Sequence, residues 1–387
     1  MIHKIAHILK IILLVLLALV VAVLLIIQSS FVQSKVADKA TKALSEIING
    51  DLSIGKIHLL FNTLIVKDVL IIDREPDVNA RTDTFARVDY LAVKINSKTI
   101  SNLLKYKSGA DVPLVHVDLV RVKGLEFNLV ILEKGDNNIF HVFNFRPPAE
   151  PPQGEKPNLF FIRKAKVENT SFSMINNMAK RRPPRKMRAP ALNYDNMYID
   201  NLNVVASNLS MNNMTFNCED ANVSLRDHYT GEQVNYIKAS AVEVGRGHTD
   251  IKDIRISDKY SKEARFEELQ MLYKNSKSFQ DFFHNIRMVG TLNNTKINFK
   301  TISFFGTGFS NLDFDVVLNG KVDGPMTAMN INTTVDAYEK TGRKAMSARV
   351  DGLFDIEQEI SKSHLGAKVK ATSVSTDEIS RIFGLKK

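Results

Sequence analysis

The sequence predicts a mainly β fold: an elongated, curled sheet of antiparallel type with short helices, preceded by one transmembrane helix and one amphipathic helix. Three observations predict it. An unbroken apolar run lies near the amino terminus, the hydrophobic spacing changes from helical to strictly alternating after Gly50, and that alternation recurs almost to the end of the chain. Composition agrees, since 44% hydrophobic and 24% charged residues are globular proportions that exclude wholesale disorder. With 387 residues the chain is long enough for more than one ordinary domain. Its single cysteine, Cys218, excludes an intrachain disulfide framework and any multi-cysteine metal site.

Ile11 to Ile27 (IILLVLLALVVAVLLII) gives roughly 26 Å of helix at ~1.5 Å per residue, and Ile8 and Leu9 extend it to a bilayer core if Lys10 snorkels. The run is longer than a signal-peptide core, and Gln28-Ser29-Ser30-Phe31 is a poor cleavage site. The expectation is an uncleaved anchor at 8–28, with Ile11, Leu13, Leu16, Leu17, Val20, Leu24 and Ile27 facing lipid, behind a cytoplasmic tail at 1–7. Lysines flank both ends, so charge alone does not orient it; the short tail places the remainder of the chain on the exported side.

Val32, Val36, Ala40, Leu44 and Ile47 form an apolar stripe at helical spacing, which predicts an amphipathic helix within 29–50 that ends at Gly50. It packs either on the domain behind it or on the membrane surface. Alternation begins next: Ile57, Leu59 and Phe61; Leu91, Val93 and Ile95; Val115, Val117 and Leu119; Leu125, Phe127 and Leu129. Between Asn201 and Leu225 four short alternating runs with Asn-rich breaks predict a meander of four strands. The pattern resumes at Leu312 to Leu318, where Asn319-Gly320 reads as a hairpin turn. Short helices are expected at 97–104, 276–285 and 376–383, the last opened by the capping box of Ser375 and Glu378.

Two segments interrupt the strands. Pro147 to Pro157 cannot sit inside a sheet. Lys180, Arg181, Arg182, Arg185, Lys186 and Arg188 place six positive charges in nine residues, more than half of the net charge of +10. This basic loop is either a solvated loop or a patch for anionic headgroups, where each charge near the surface contributes about 1 kcal/mol. Nucleic acid is a poor fit, because the loop lacks interleaved aromatics.

No phosphate-binding glycine loop, dinucleotide turn or nucleophile elbow is present, and the nine histidines form neither H-x-H nor H-E-x-x-H. The expectation is therefore no enzyme, no cofactor and no metal, with Cys218 a buried structural thiol. The alternation does offer an apolar strand face. By parity its candidate groove-lining residues are Val117, Leu119, Phe127, Leu202, Val204, Met211, Met214, Phe216 and Val223. Alternation alone does not distinguish an open groove from a closed sandwich.

The order of these parts carries a resemblance. A single anchor leads into VQSKVADKATKALSEIING, then LSIGKIHLLFNTLIVKDVLIID, VKINSKTISNLLK and VHVDLVRVKGLEFNLVILEKGDNNIFHVFNF. Farther on come DIRISDKYSKEARFEELQMLYKNSKSFQDFFHNIRMVGTLNNTKINFKTISFF and LDFDVVLNGKVDGPMTAMNI. Together they resemble the AsmA-like family, in particular its translocation and assembly module subunits of Bacteroidetes-type bacteria. The resemblance implies an AsmA-like β region at 51–146, Pro-rich and basic loops around one strand region at 147–190, and a β-rich groove region at 191–387. It further implies an inner-membrane anchor, a periplasmic body, phospholipid or outer-membrane protein as cargo, and an Omp85-type outer-membrane partner. Members are usually several times longer, so the expectation is either a fragment or a truncated relative. The competing expectation is a closed β scaffold or adhesion protein that carries no lipid.

Overall fold

The computed structural model describes residues 48–104, 115–133, 136–143, 160–177, 191–212, 215–275, 278, 282–305, 313–355 and 364–374. The apolar run at 11–27, the amphipathic helix up to residue 47, the Pro-rich loop, the basic loop at 180–188, Met214 and the expected helix at 376–383 lie outside the described residues. Among the described residues no helix is long and apolar enough to cross a membrane.

Among the described residues fifteen strands form one sheet, each beside its neighbours in sequence. They are β1 (Gly50–Leu60), β2 (Thr63–Asp73), β3 (Thr84–Ile95), β4 (Val115–Ile131), β5 (Phe160–Asn176), β6 (Asn196–Asn212), β7 (Thr215–Asp227) and β8 (Gln233–Val244). The order continues with β9 (His248–Asp258), β10 (Ala264–Leu272), β11 (Arg287–Asn298), β12 (Asp315–Gly324), β13 (Met329–Tyr338), β14 (Lys344–Asp355) and β15 (His364–Val374). Among the described residues four short α-helices accompany them: α1 (Ser97–Leu104), α2 (Asn138–Val142), α3 (Phe282–Asn285) and α4 (Phe299–Phe305). Pairing is antiparallel throughout except between β4 and β5, which run parallel. A parallel pair needs a long crossover, and the connection through 132–159 and α2 supplies it.

The strands are longer than the alternation suggested, and the reason is local. Asp68, Asn169, Asn201, Asn208, Asp220, Asp253 and Asn294 all lie within strands with φ between 47° and 55°. Asn and Asp enter this left-handed region at the least cost among side-chain-bearing residues. At each one the in–out alternation slips by one residue. Neighbouring strands slip at the same level: Asp220 of β7 and Asp253 of β9 flank Ser240 of β8, and the pairs Val223–Ile237–Ile256 and Cys218–Val242–Ile251 stay aligned on either side. The segment 201–225 is thus two strands, β6 and β7, and not the expected four. Asn319-Gly320 likewise lies inside β12 and is not a hairpin turn. Gly320 has φ +146°, and a Cβ there would meet the Asn332 carbonyl oxygen at 2.1 Å.

The helix expected at 97–104 is present as α1, whereas α2 and α4 have no counterpart in the sequence reading. Three apolar clusters anchor the sheet. Around Leu64, Val115, Phe160 and Met211, one cluster closes the end of β2–β6 beside α1, whose Ile100 packs against it. A second, at the opposite strand ends, gathers Ile48, Phe85, Ile139, Val142 and Phe143 of α2 and its surroundings. Ring edges hold it, with Phe85 5.2 Å from Phe127 and 5.6 Å from Phe143. A third packs Phe299 and Ile302 of α4 on Ala264, Ile297, Val316 and Ala337.

Candidate functional site: an apolar face crossed by a strap

Cross-strand register builds one face from apolar residues. Ile57, Val66, Leu91, Val122, Val167, Val204, Val223, Ile237, Ile256 and Ala264 pair in succession from β1 to β10. Seven residues farther along each strand, Val115, Phe160, Met211, Phe216 and Val244 pair from β4 to β8. The other face is charged. There Arg121, Lys166, Val205, Asn222, Lys238, Arg255 and Arg265 form a rung from β4 to β10.

The apolar face is neither bare nor sealed. At its β4–β6 end Phe160 and Met211 are each 1% exposed. Across β6 to β8, Val204, Phe216, Val223, Ile237 and Val242 are half-buried. Among the described residues no second sheet lies over them. A sheet of this length twists as it extends, and half-burial without a covering layer is what side chains shielding one another on a curled face produce. The described residues therefore form a single open sheet and not a closed sandwich.

One end of this face is crossed. Helix α4 turns back from β11 over β10 and β9, where Thr301 Oγ1 lies 2.7 Å from Ser261 Oγ in the β9–β10 connection. Its last turn then meets the segment leading into β6. The Leu192 N–H donates to the Phe304 carbonyl at 2.8 Å, and the Tyr194 hydroxyl donates to the Phe305 carbonyl at 2.9 Å. Strands β6 and β11 are five apart in a sheet whose strands are spaced ~4.8 Å, roughly 24 Å measured flat. The two segments together form a strap between β6 and β11, at the edge of the sheet where β7 and β9 end and β8 and β10 begin.

The predicted groove residues fall as follows. Val117 and Met211 are buried on the apolar face, and Phe127, Leu202, Val204, Phe216 and Val223 are half-buried on it. Leu119 is a correction. A register shift at the end of β3 pairs it with Lys94 and turns it to the charged face. There it borders a shallow depression of about 610 Å³ with Arg121, Arg163, Lys164 and Lys166. Cys218 is buried on the apolar face opposite Val242, and burial pushes its thiol up from the ordinary range, with the Glu219 charge adding to the effect.

Electrostatic pairing on the charged face is local. Asp200 accepts two hydrogen bonds from the Arg226 guanidinium, at 2.6 and 2.9 Å, and lies 3.0 Å from His228 Nδ1. Arg226, with His228 in support, holds the Asp200 carboxyl below the usual range despite partial desolvation. Asp253 is held down in the same sense by Arg255 and then Arg265. These groups are committed to one another. The structure also joins three residues that sequence spacing did not connect: Glu243, His248 and Asp250, with ligand atoms within 4.8 Å of one another. The H-x-D spacing of His248 and Asp250 on an alternating segment was the available signal, because it puts both on one strand face.

No family model matches the chain, and no curated protein or solved structure matches it.

Proposed function

We propose that this chain is a membrane-anchored protein of envelope biogenesis, held in the inner membrane by residues 11–27, whose apolar sheet face shields cargo in the periplasm. The cargo is phospholipid acyl chains or apolar segments of an outer-membrane protein, passed onward to an outer-membrane partner of the Omp85 type. The observation that carries this reading is the register-matched apolar rung through ten strands, half-buried where no second layer covers it. Each acyl methylene removed from water contributes ~0.8 kcal/mol, so a seated stretch of about eight contributes ~6 kcal/mol, enough to hold a chain out of water. The resemblance to the AsmA-like family supports the same reading. The alternative of a closed scaffold without cargo is less favoured, because the described strands form one open sheet.

The test compares lipid carried by the full chain and by its Phe216→Asp variant, both purified in the same mild detergent and extracted for mass spectrometry. Phe216 is half-buried, so a carboxylate there reaches water in the free protein and loses it under an acyl chain. Lipid bound around the membrane anchor is common to both samples. Wild type is expected to carry at least one phospholipid more per chain than the variant. Equal lipid in the two, with both folded, would remove the basis of the proposal.

A further inference from the structure

We propose that Glu243, His248 and Asp250 bind a single divalent transition-metal ion, with Zn2+ the ion whose donor preferences they match. Glu243 is the last but one residue of β8 and Asp250 lies directly opposite it on β9. His248 precedes Asp250 by two positions and shares its face. His248 Nε2 lies 2.8 Å from Glu243 Oε1 and 4.0 Å from Asp250 Oδ2. An ion at ~2.0–2.2 Å from one nitrogen and two carboxylate oxygens sits among atoms spaced in this range, with a fourth position left for water.

Two features set this cluster apart from an ordinary hydrogen-bonded histidine. The first is charge. Like charges directly opposite on neighbouring strands destabilise a sheet. Elsewhere on this face Asp200 is met by Arg226 and Asp253 by Arg255 and Arg265, while Glu219 accepts from the Asn208 amide. Among the described residues, Glu243 and Asp250 have only His248 within ion-pair reach. Moreover, Asp250 Oδ1 is sealed from solvent with no hydrogen-bond partner, so one acceptor of the pair has its demand unmet.

The second feature is the rigidity of the ligand frame. The imidazole lies against the backbone of Gly245, where a Cβ would meet its Cε1 at 2.3 Å. The hairpin joining the ligands is pinned from the next strand by Tyr273. Its hydroxyl lies 3.0 and 2.7 Å from the Gly245 and His248 carbonyl oxygens, which share its one proton, and its N–H donates to the Gly247 carbonyl at 2.9 Å. A donor set carried on paired strands with a fixed imidazole needs only small side-chain rotations to close on an ion.

Calorimetric titration of Zn2+ into the chelator-stripped full chain tests this, together with the visible spectrum of the Co2+-loaded protein. The expected result is one saturable site in wild type, with Co2+ bands of low coordination number. His248→Ala and Glu243→Gln are each expected to weaken it by roughly tenfold or more, since even outer-shell partners of a metal site cost that much when removed. Wild type without a saturable site would overturn the proposal, and so would variants that bind as wild type does. Glu243 has its side chain 47% exposed, so Glu243→Gln folds and decides the matter if His248→Ala does not.

Discussion

Phe160 and Phe216 test the boundary between the closed and open parts of the apolar face. They flank Met211 on one rung, pairing with it from β5 and from β7. Phe160 is 1% exposed and belongs to the cluster around Leu64 and Val115, whereas Phe216 is half-buried. Truncating Phe160 to Ala removes its transfer energy and leaves a cavity that the packed neighbours fill incompletely, a loss of ~3–5 kcal/mol. Phe216→Ala opens no sealed cavity, because water reaches the site. It loses only part of the ~1.5–3 kcal/mol that full burial of such a side chain contributes, about 1 kcal/mol. At ~2–4 °C per kcal/mol the melting temperature falls by roughly 6–20 °C for Phe160→Ala and by roughly 2–4 °C for Phe216→Ala. Thermal and guanidinium unfolding followed by far-UV circular dichroism measures both. Losses equal within about 0.5 kcal/mol would refute the reasoning, because the face would then be uniformly closed or uniformly open.

Three further outcomes are expected. Gly320→Ala forces a Cβ against the Asn332 carbonyl at a φ that L-residues avoid, so it lowers stability by about 1–3 kcal/mol in denaturant unfolding; a neutral variant would contradict the kinked path of β12. The lowered carboxyl of Asp200 contributes stability that is complete above the ordinary carboxylate range and is lost as pH falls through its depressed native value, so Asp200→Asn should flatten the acid limb of a stability–pH curve. An unchanged acid limb would show that the Arg226 pairing adds nothing to folding. Cys218, buried with its thiol pushed up, should resist a thiol reagent in the native protein and react on unfolding; fast native labelling would place it at the surface.

The extent to which the fold was legible follows the reach of the forces involved. Strand content was legible because alternation is a local consequence of which face meets water, and Val204 and Val223 announce their face within five residues of sequence. Helix α1 was legible as a short helical interruption of the alternation at 97–104. The lengths of β6 and β7 were not, because a kink at Asn208 or Asp220 breaks the period without ending the strand, and an Asn-rich break looks the same in either case. Leu119 was misplaced for a related reason, since a register shift beside it is decided by the partner strand β3. The strap and the Glu243–His248–Asp250 cluster depend on pairing between separate segments, and Leu192 meets Phe304 only because the sheet brings β6 and α4 together.

The unbroken succession of neighbours in the sheet also bears on how such a chain is made. Apart from the crossover into β5, each described strand finds its partner in the segment just before it, so order can grow from the first hairpin onward as the polypeptide emerges. Contacts close in sequence cost little loop entropy to form, and an array whose units touch only adjacent units has stability that adds along its length. Hairpins inserted or deleted within such an array would lengthen or shorten its apolar face without repacking a central core. Reach thereby becomes a quantity that evolution can adjust two strands at a time, independently of the chemistry of the face itself.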